Sequence, residues 1–211
     1  MSRWIIAIDG PAAAGKGTLA RRLAAYLRLP YLDTGLLYRA VGRRVLDRDE
    51  SPTDAAAAEC AALALQPEDM ERTDLRDPAA DAAASAVADV RGVRAALLDF
   101  QRRFGAERGA VLDGRDIGTV IFPNADLKLF VTASPEARAH RRWLELRGRG
   151  LGADLLDVER DIRARDARDI ARTASPLVPA ADAIPIDTTT LDADAAFAVA
   201  LRAARSRFGL E

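Results

Sequence analysis

The chain has 211 residues, the size of one domain or of one domain with small insertions. Its 31 basic and 32 acidic residues leave a net charge of −1 and only 5% of the residues are aromatic, so neither a charged field nor a stacking surface favours nucleic acid or a membrane as a partner. One cysteine and one histidine exclude an internal disulfide and argue against a metal cluster of these residue types. No signal peptide or membrane-spanning apolar run is seen, so we expect a cytoplasmic protein.

A phosphate-binding loop is predicted near the start of the chain. Residues 4–9 form a short apolar run typical of a buried strand, and residues 19–27 repeat leucine at the four-residue spacing of an amphipathic helix. Glycines bound the segment between them, so its backbone N–H groups can wrap around a phosphate at the positive end of the helix. The segment is Gly10-Pro11-Ala12-Ala13-Ala14-Gly15-Lys16-Gly17-Thr18.

Two side chains of this loop carry the predicted nucleotide chemistry. Lys16, one of only two lysines in the chain, supplies a mobile positive charge for the β- and γ-phosphates of a nucleotide. Thr18 supplies a hydroxyl for phosphate or Mg²⁺. Gly17 stands where the common motif has Ser or Thr, which is similar to the loop of nucleoside monophosphate kinases. The alternative is a glycine-rich turn with an exposed lysine.

Strands and helices alternate along the rest of the chain. This alternation predicts an α/β fold with a parallel sheet flanked by helices, of the P-loop NTPase type. Residues 114–119 are predicted as a loop at the carboxyl end of a strand, where parallel sheets bind ligands. Further strands are predicted at 29–32, 109–113, 127–131 and 183–186, and further helices at 36–46, 54–65, 78–89, 93–104, 135–148, 154–171 and 192–208.

Two segments differ from this alternation inside a single predicted domain spanning 1–211. Residues 48–80 have alanine-rich helical stretches but no strand pattern, which indicates a short helical insertion outside the sheet. Gly148, Gly150 and Gly152 interrupt two charged helices, and we expect them to act as the hinge of a small lid at about residues 147–157.

A set of charged residues near the end of the chain is a candidate anion site. Arg165, Asp169 and Arg172 are spaced so that one helix face would present all three, with Arg168 beside them. The alternative is a solvated ladder of salt bridges, which is common on helices. Arg138 on the preceding helix has a similar alternative as an ordinary surface charge.

Several segments, in their order along the chain, match one family. They are the loop at residues 10–18, Leu32-Asp33-Thr34-Gly35 with Tyr38-Arg39, Asp113-Gly114-Arg115-Asp116-Ile117-Gly118-Thr119, Arg138-Ala139-His140-Arg141-Arg142, Arg165-Asp166-Ala167-Arg168-Asp169 with Arg172, and residues 176–183. Together these segments resemble bacterial cytidylate kinase. This resemblance implies transfer of the γ-phosphate of ATP to CMP or dCMP, with Mg²⁺ as the cofactor.

The resemblance also implies roles for individual residues. Lys16 and the other loop residues would hold the ATP phosphates, Thr18 would contact the metal, and Lys16, Arg115 and Arg168 would serve catalysis. The residues implied to bind CMP are Arg39, Arg115 and Arg172 at the phosphate, Arg165 and Asp169 at the ribose, Ser85, Arg94 and Asp116 at the cytosine, and Thr34, where many members have serine.

Other functions are compatible with parts of this pattern. A different small-acceptor P-loop kinase, of the UMP/CMP, adenylate or shikimate type, would share the loop. A nucleotide-binding switch would share it too, but would not need arginines for a second substrate. Residues 48–80 are also shorter and more helical than the insertion of many bacterial cytidylate kinases. We expect ATP and CMP or dCMP as the partners and a monomer as the oligomeric state.

Overall fold

The computed structural model describes residues 3–210 and contains a sheet with the strand order β2-β3-β1-β4-β5. Strand β1 pairs in parallel with both β3 and β4, and β4 pairs in parallel with β5. The predicted parallel sheet flanked by helices is therefore confirmed. The strands are β1 (Ile5–Asp9), β2 (Tyr31–Asp33), β3 (Ala110–Gly114), β4 (Leu127–Thr132) and β5 (Ile184–Asp187).

The helices lie close to their predicted positions, and several begin directly after a polar capping residue. The side chains of Asp54, Ser134, Asp154 and Asp192 each accept a backbone N–H in the first turn that follows. The helices are α1 (Lys16–Leu27), α2 (Thr34–Leu46), α3 (Ala55–Leu63), α4 (Pro78–Val87), α5 (Arg91–Arg108), α6 (Pro135–Gly148), α7 (Leu155–Ala171) and α8 (Ala193–Phe208). Helix α5 extends four residues beyond the predicted end at residue 104, and Gly109 with a φ of 75° follows its last residue.

The chain divides into two compact units. The first contains the residues up to Leu32 together with those from Gly105 onward. Its main core lies between the sheet and helices α1 and α8, where Leu19 and Leu23 are buried as the leucine spacing predicted. A smaller core joins α6 to α7 through Leu146 and Ile162. The main core therefore supports the loop after β1, and the smaller core brings Ala13 of that loop against the helix pair at 135–171.

The second unit is Asp33–Phe104, which is wider than the predicted insertion at residues 48–80. Helix α2 packs tightly against α4 at Gly42. A Cβ at that position would lie only 2.8 Å from the Cβ of Ala83. Two short 3₁₀ turns, Pro67–Glu71 and Thr73–Arg76, follow α3. Residues 48–80 contain no strand, as predicted. Within residues 3–210, no helix has the length and apolar character needed to cross a bilayer.

Candidate active site

The loop after β1 has the backbone geometry of an anion-binding nest. Gly10 has a φ of 148°, and a Cβ there would lie 1.9 Å from the carbonyl oxygen of Val131, so only glycine fits. Gly15, with a φ of 87°, is the N-cap residue of α1. In the described part of the chain, no side chain forms a capping hydrogen bond at this helix start. The first N–H groups of α1 therefore point toward the loop as donors for an anion.

Lys16 lies inside this loop. Its side chain is buried, and its Nζ donates a hydrogen bond to the carbonyl oxygen of Pro11 at 3.1 Å. The alternative of a turn with an exposed lysine is therefore wrong. Thr18, two residues further on, is exposed in the first turn of α1. The ammonium group and the hydroxyl are thus presented from one loop, as a bound triphosphate and its metal require.

Arg138 fixes the loop from behind. Its side chain is only 3% exposed, and its guanidinium donates to the carbonyl oxygens of Ala12 at 3.2 Å and Ala133 at 2.9 Å. It also forms an ion pair with Asp166 of α7, with Nη2 and Oδ2 at 2.5 Å. The surface-charge alternative is therefore wrong for Arg138. Thr188 adds a second anchor, because its Oγ1 donates to the carbonyl oxygen of Ala14 at 3.0 Å.

The segment after β3 is a π-helical turn at Ile117–Ile121, where the sequence predicted a loop from residue 114. Asp9, the last residue of β1, stabilises this turn because its two carboxylate oxygens accept the N–H groups of Ile117 and Gly118, both at 2.8 Å. Burial raises the pKa of Asp9 to about 6, although the two backbone hydrogen bonds act in the opposite direction. Asp9 is not among the site residues that the sequence predicts; its one signal there is a carboxylate that ends an otherwise apolar strand.

A buried carboxylate pairs with two of the arginines that were predicted to bind the phosphate of CMP. Asp169 is 1% exposed and accepts Nε of Arg115 at 3.0 Å and Nη2 of Arg172 at 2.7 Å. Burial by itself would raise the pKa of Asp169, but the positive charges of Arg115, Arg172 and Arg165 outweigh burial and lower it. A solvated ladder is therefore wrong for this group. Arg168 is exposed, and its Nε donates to the carbonyl oxygen of Ala164 at 3.4 Å.

Arg172 lies one residue beyond the last residue of α7, with extended ψ, and so does not share a helical face with Arg165 and Asp169. The prediction of one helix face was wrong in that detail. The chain turns after α7, and the N–H of Leu177 returns to the carbonyl oxygen of Asp169 at 2.9 Å. Arg172 is thereby brought back to the Asp169 carboxylate.

Asp113, within β3, and Asp116, two residues after its last residue, are both buried, at 5% exposure each. Asp113 accepts the hydroxyl of Tyr31 at 2.6 Å, and a Cβ on Gly17 would lie 3.4 Å from its Oδ2. Its carboxylate therefore lies beside the phosphate-binding loop. Asp116 immediately precedes the π-helical turn, but its side chain does not cap it. The Asp116 carboxylate therefore does not serve as the cap of this turn.

The second unit contains the remaining predicted site residues. Thr34 is buried at the start of α2, and Nε of Arg39 donates to Asp81 at 2.8 Å. Arg94 donates to the carbonyl oxygen of Ala88 at 3.2 Å, and its guanidinium lies 5.6 Å from the ring centre of Tyr38.

Ser85 is the most informative residue of this unit. It is 2% exposed, and its Oγ has no hydrogen-bond partner within residues 3–210. A buried hydroxyl without a partner costs free energy, which a polar ligand would recover.

The Mg²⁺ that the sequence resemblance implies has one candidate protein ligand in the loop, the hydroxyl of Thr18. Within residues 3–210, no three His, Cys, Asp or Glu side chains are grouped so that they could hold a metal ion. Mg²⁺ commonly keeps several waters and binds through substrate phosphates with few protein ligands. The exposed hydroxyl of Thr18 beside the loop fits that mode of binding.

Comparisons with known proteins agree on one family. The family model described as Cytidylate kinase matches residues 6–206. A protein from Acidiphilium cryptum named Cytidylate kinase is 61% identical over 196 residues, covering 93% of this chain and 92% of that protein. A protein of the same name from Granulibacter bethesdensis is 62% identical over 195 residues, covering 92% of this chain and 93% of that protein.

Solved structures support the fold. An uncharacterized protein from Eubacterium ventriosum aligns with a TM-score of 0.56 at 18% identity, covering 97% of this chain and 99% of that chain. The structure of TT1252 from Thermus thermophilus aligns with a TM-score of 0.50 at 21% identity, covering 97% of each chain.

Proposed function

The chain belongs to the cytidylate kinase family, and we propose that it transfers the γ-phosphate of ATP to CMP or dCMP, releasing ADP and CDP or dCDP. One observation in the structure carries this proposal. A phosphate-binding loop with a buried lysine lies in the same unit as a cluster of half-buried arginines around the buried Asp169, and the Arg138–Asp166 ion pair connects the loop to the helix that carries Asp169. A kinase with a charged acceptor needs both features, whereas a nucleotide switch needs only the first.

At the donor end, the loop from Gly10 to Thr18 would bind the ATP phosphates through its backbone N–H groups. Lys16 would leave the carbonyl oxygen of Pro11 and follow the β- and γ-phosphates. Mg²⁺ bound to those phosphates would neutralise their charge, with the Thr18 hydroxyl as the protein ligand. The hydrogen bonds to the carbonyl oxygens of Ala12 and Ala14 hold the loop in one conformation. ATP binding would therefore cost little conformational entropy in the loop.

At the acceptor end, we assign Arg39, Arg115 and Arg172 to the phosphate of CMP and Arg165 and Asp169 to the ribose. Guanidinium groups bind phosphate through two parallel hydrogen bonds, which orients the attacking oxygen as well as neutralising it. Asp169 keeps Arg115 and Arg172 in place before CMP arrives, because it pairs with both.

The base would be recognised by Ser85, Arg94 and Asp116, with Thr34 contributing a nearby hydroxyl. Cytosine carries an amino group where uracil has a carbonyl oxygen. At that position the Asp116 carboxylate can accept a hydrogen bond from the amino group of cytosine, whereas the carbonyl oxygen of uracil offers it only lone pairs. The partnerless hydroxyl of Ser85 supports the assignment, because a polar base edge would satisfy it.

The transfer itself needs positioning and charge neutralisation more than covalent chemistry. We assign Lys16, Arg115 and Arg168 to the charge that develops on the transferring group. Exclusion of water would come from the segment at about 147–157 acting as a lid. Its glycines support this role, because a Cβ built at Gly148, Gly150 or Gly152 meets no atom within 4 Å, so no neighbouring side chain restrains these three positions.

A coupled assay of ADP release tests the proposal. Purified protein with ATP and Mg²⁺ is offered CMP, dCMP, UMP, AMP and shikimate in separate reactions. We expect acceptor-dependent ADP release with CMP and dCMP at the highest catalytic efficiency. Higher efficiency with AMP or shikimate would assign the chain to another kinase type, and ADP release that no acceptor stimulates would indicate a switch.

A further inference from the structure

Asp9 connects the end of β1 to the π-helical turn that follows β3. It is the last residue of β1, in register with Gly114 of β3, and the phosphate-binding loop begins at the next residue. Its side chain is directed to the turn after β3, where Oδ1 accepts the N–H of Ile117 and Oδ2 accepts the N–H of Gly118. The side chain is therefore committed to the segment that carries Arg115 and Asp116.

The turn at Ile117–Ile121 depends on such an acceptor. Its own hydrogen bonds run from the N–H of Ile121 to the carbonyl oxygen of Asp116 and from Phe122 to Ile117, at 3.2 and 2.7 Å. This π-helical pattern is rare and occurs mostly at functional sites. The first N–H groups of any helical turn lack internal partners. Asp9 supplies those partners, and hydrogen bonds to a charged acceptor are about twice as strong as neutral ones.

The contact is also sterically fitted. A Cβ on Gly118 would lie 3.3 Å from Oδ2 of Asp9 and 3.1 Å from Cδ of Lys128, which is closer than most side chains tolerate. Asp9 itself is 5% exposed. Water therefore has little access to replace the carboxylate as the acceptor.

We propose that Asp9 is a positioning residue for the acceptor nucleotide, which holds the turn after β3 so that Arg115 and Asp116 keep one arrangement toward CMP. This role rests on the proposed function, because it presupposes that Arg115 and Asp116 bind CMP. Asp9 would touch neither nucleotide and would act through the backbone of Ile117 and Gly118. Its place directly before the phosphate-binding loop makes the donor and acceptor segments share one fixed point.

The test is Asp9→Asn, which keeps the shape but leaves only one oxygen to accept from two N–H groups. We expect KM for CMP to rise about tenfold and kcat to fall, since one charge-assisted hydrogen bond is worth about that factor. The dissociation constant of a non-hydrolysable ATP analogue, measured by fluorescence without CMP, should change less than about twofold. An unchanged KM for CMP, or an equal weakening of the ATP analogue, would overturn the proposal.

Two further variants keep the test sharp. Asp126→Asn is the matched control, because Asp126 accepts the N–H of Ile5 at 2.7 Å at the opposite end of β1, and it should leave KM for CMP unchanged. If Asp9→Asn folds poorly, Gly118→Ala takes its place in the test. This substitution disturbs the same contact from the side of the turn and should also raise KM for CMP. A rise with Asp126→Asn equal to that with Asp9→Asn would contradict the assignment.

The pH profile separates positioning from a structural role. Asp116 and Lys16 are the charged groups that influence the Asp9 carboxyl, and Lys128 lies against Gly118. The ratio of wild-type to Asp9→Asn kcat/KM for CMP cancels the titration of the substrate phosphate. This ratio should fall toward one between pH 7.5 and pH 5, because protonated Asp9 loses the same acceptor as asparagine does. A ratio independent of pH would overturn the proposal, whereas absence of CMP-dependent ADP release in the wild type would instead refute the proposed function.

Discussion

Replacing Asp169 by asparagine should destabilise the protein strongly. The carboxylate is 1% exposed and pairs with Arg172, whose side chain is 6% exposed, and with Arg115, whose side chain is 19% exposed. Removing one partner of a buried pair costs about 3–5 kcal/mol, because the remaining charge stays buried without compensation. The amide oxygen keeps one hydrogen bond and Arg115 retains some solvent, so we expect about 3 kcal/mol, at the low end of that range.

The measurement is the free energy of unfolding in urea at pH 7, followed by far-UV circular dichroism and tryptophan fluorescence. A loss of about 3 kcal/mol would lower the urea midpoint by about 1.5 M at a typical slope of about 2 kcal/mol/M. Asp161→Asn is the matched control, because Asp161 is an exposed aspartate on the same helix. Its midpoint should be within about 0.3 M of the wild type.

The pH dependence supplies a second check. The arginines lower the pKa of Asp169 below its ordinary value of 3.8 in the folded protein, despite the opposing effect of burial. The stabilisation is therefore fully present above the unfolded pKa and is lost as the pH falls through the lower, folded pKa. The wild type should remain more stable than the variant by a constant amount between pH 7 and pH 5, and that difference should shrink below about pH 4. A difference under about 1 kcal/mol at pH 7 would refute the buried ion-pair reasoning.

Three further substitutions test other parts of the site. Lys16→Ala should reduce kcat by about a hundred- to a thousandfold, as loss of one transition-state contact typically does, with an unchanged circular dichroism spectrum; near-normal turnover would contradict the assignment of the loop. Asp116→Asn should lower the ratio of kcat/KM for CMP to kcat/KM for UMP. In the wild type we expect this ratio to be roughly five- to a hundredfold, because UMP would leave the buried carboxylate unpaired. An unchanged ratio with lower activity would assign base selection to other residues. Arg138→Met should weaken binding of an ATP analogue and cost about 3 kcal/mol of stability. Combined with Asp166→Ala it should cost less than the sum of the two single changes, because they share one ion pair, and strict additivity in a double-mutant cycle would show that the pair carries no coupling energy.

The elements that the sequence predicted well are those whose determinants are close along the chain. The leucine spacing of residues 19–27 predicted α1, and Asp54, Ser134, Asp154 and Asp192 were correct as helix starts or lay within one residue of them. Helical capping and periodicity are local effects, so a single sequence is enough to predict them. The turn after β3 was predicted wrongly as a loop, because the carboxylate that stabilises its π-helical form is Asp9, 108 residues away.

The sequence by itself determined the parallel α/β fold, the phosphate-binding loop and the identity of the charged residues available to a second substrate. Strand, loop and helix around Lys16 are adjacent in the chain, so backbone preference and hydrophobic pattern suffice to predict them. Only the tertiary structure decided which charges are buried and which partner each one has. Arg138 and Ala12 are 126 residues apart, and Arg115 and Asp169 are 54 apart. The sequence around an arginine on a helix does not tell whether water or a buried carboxylate surrounds its guanidinium. The packing of α6 against α7 and against Ala13 of the loop decides between the two.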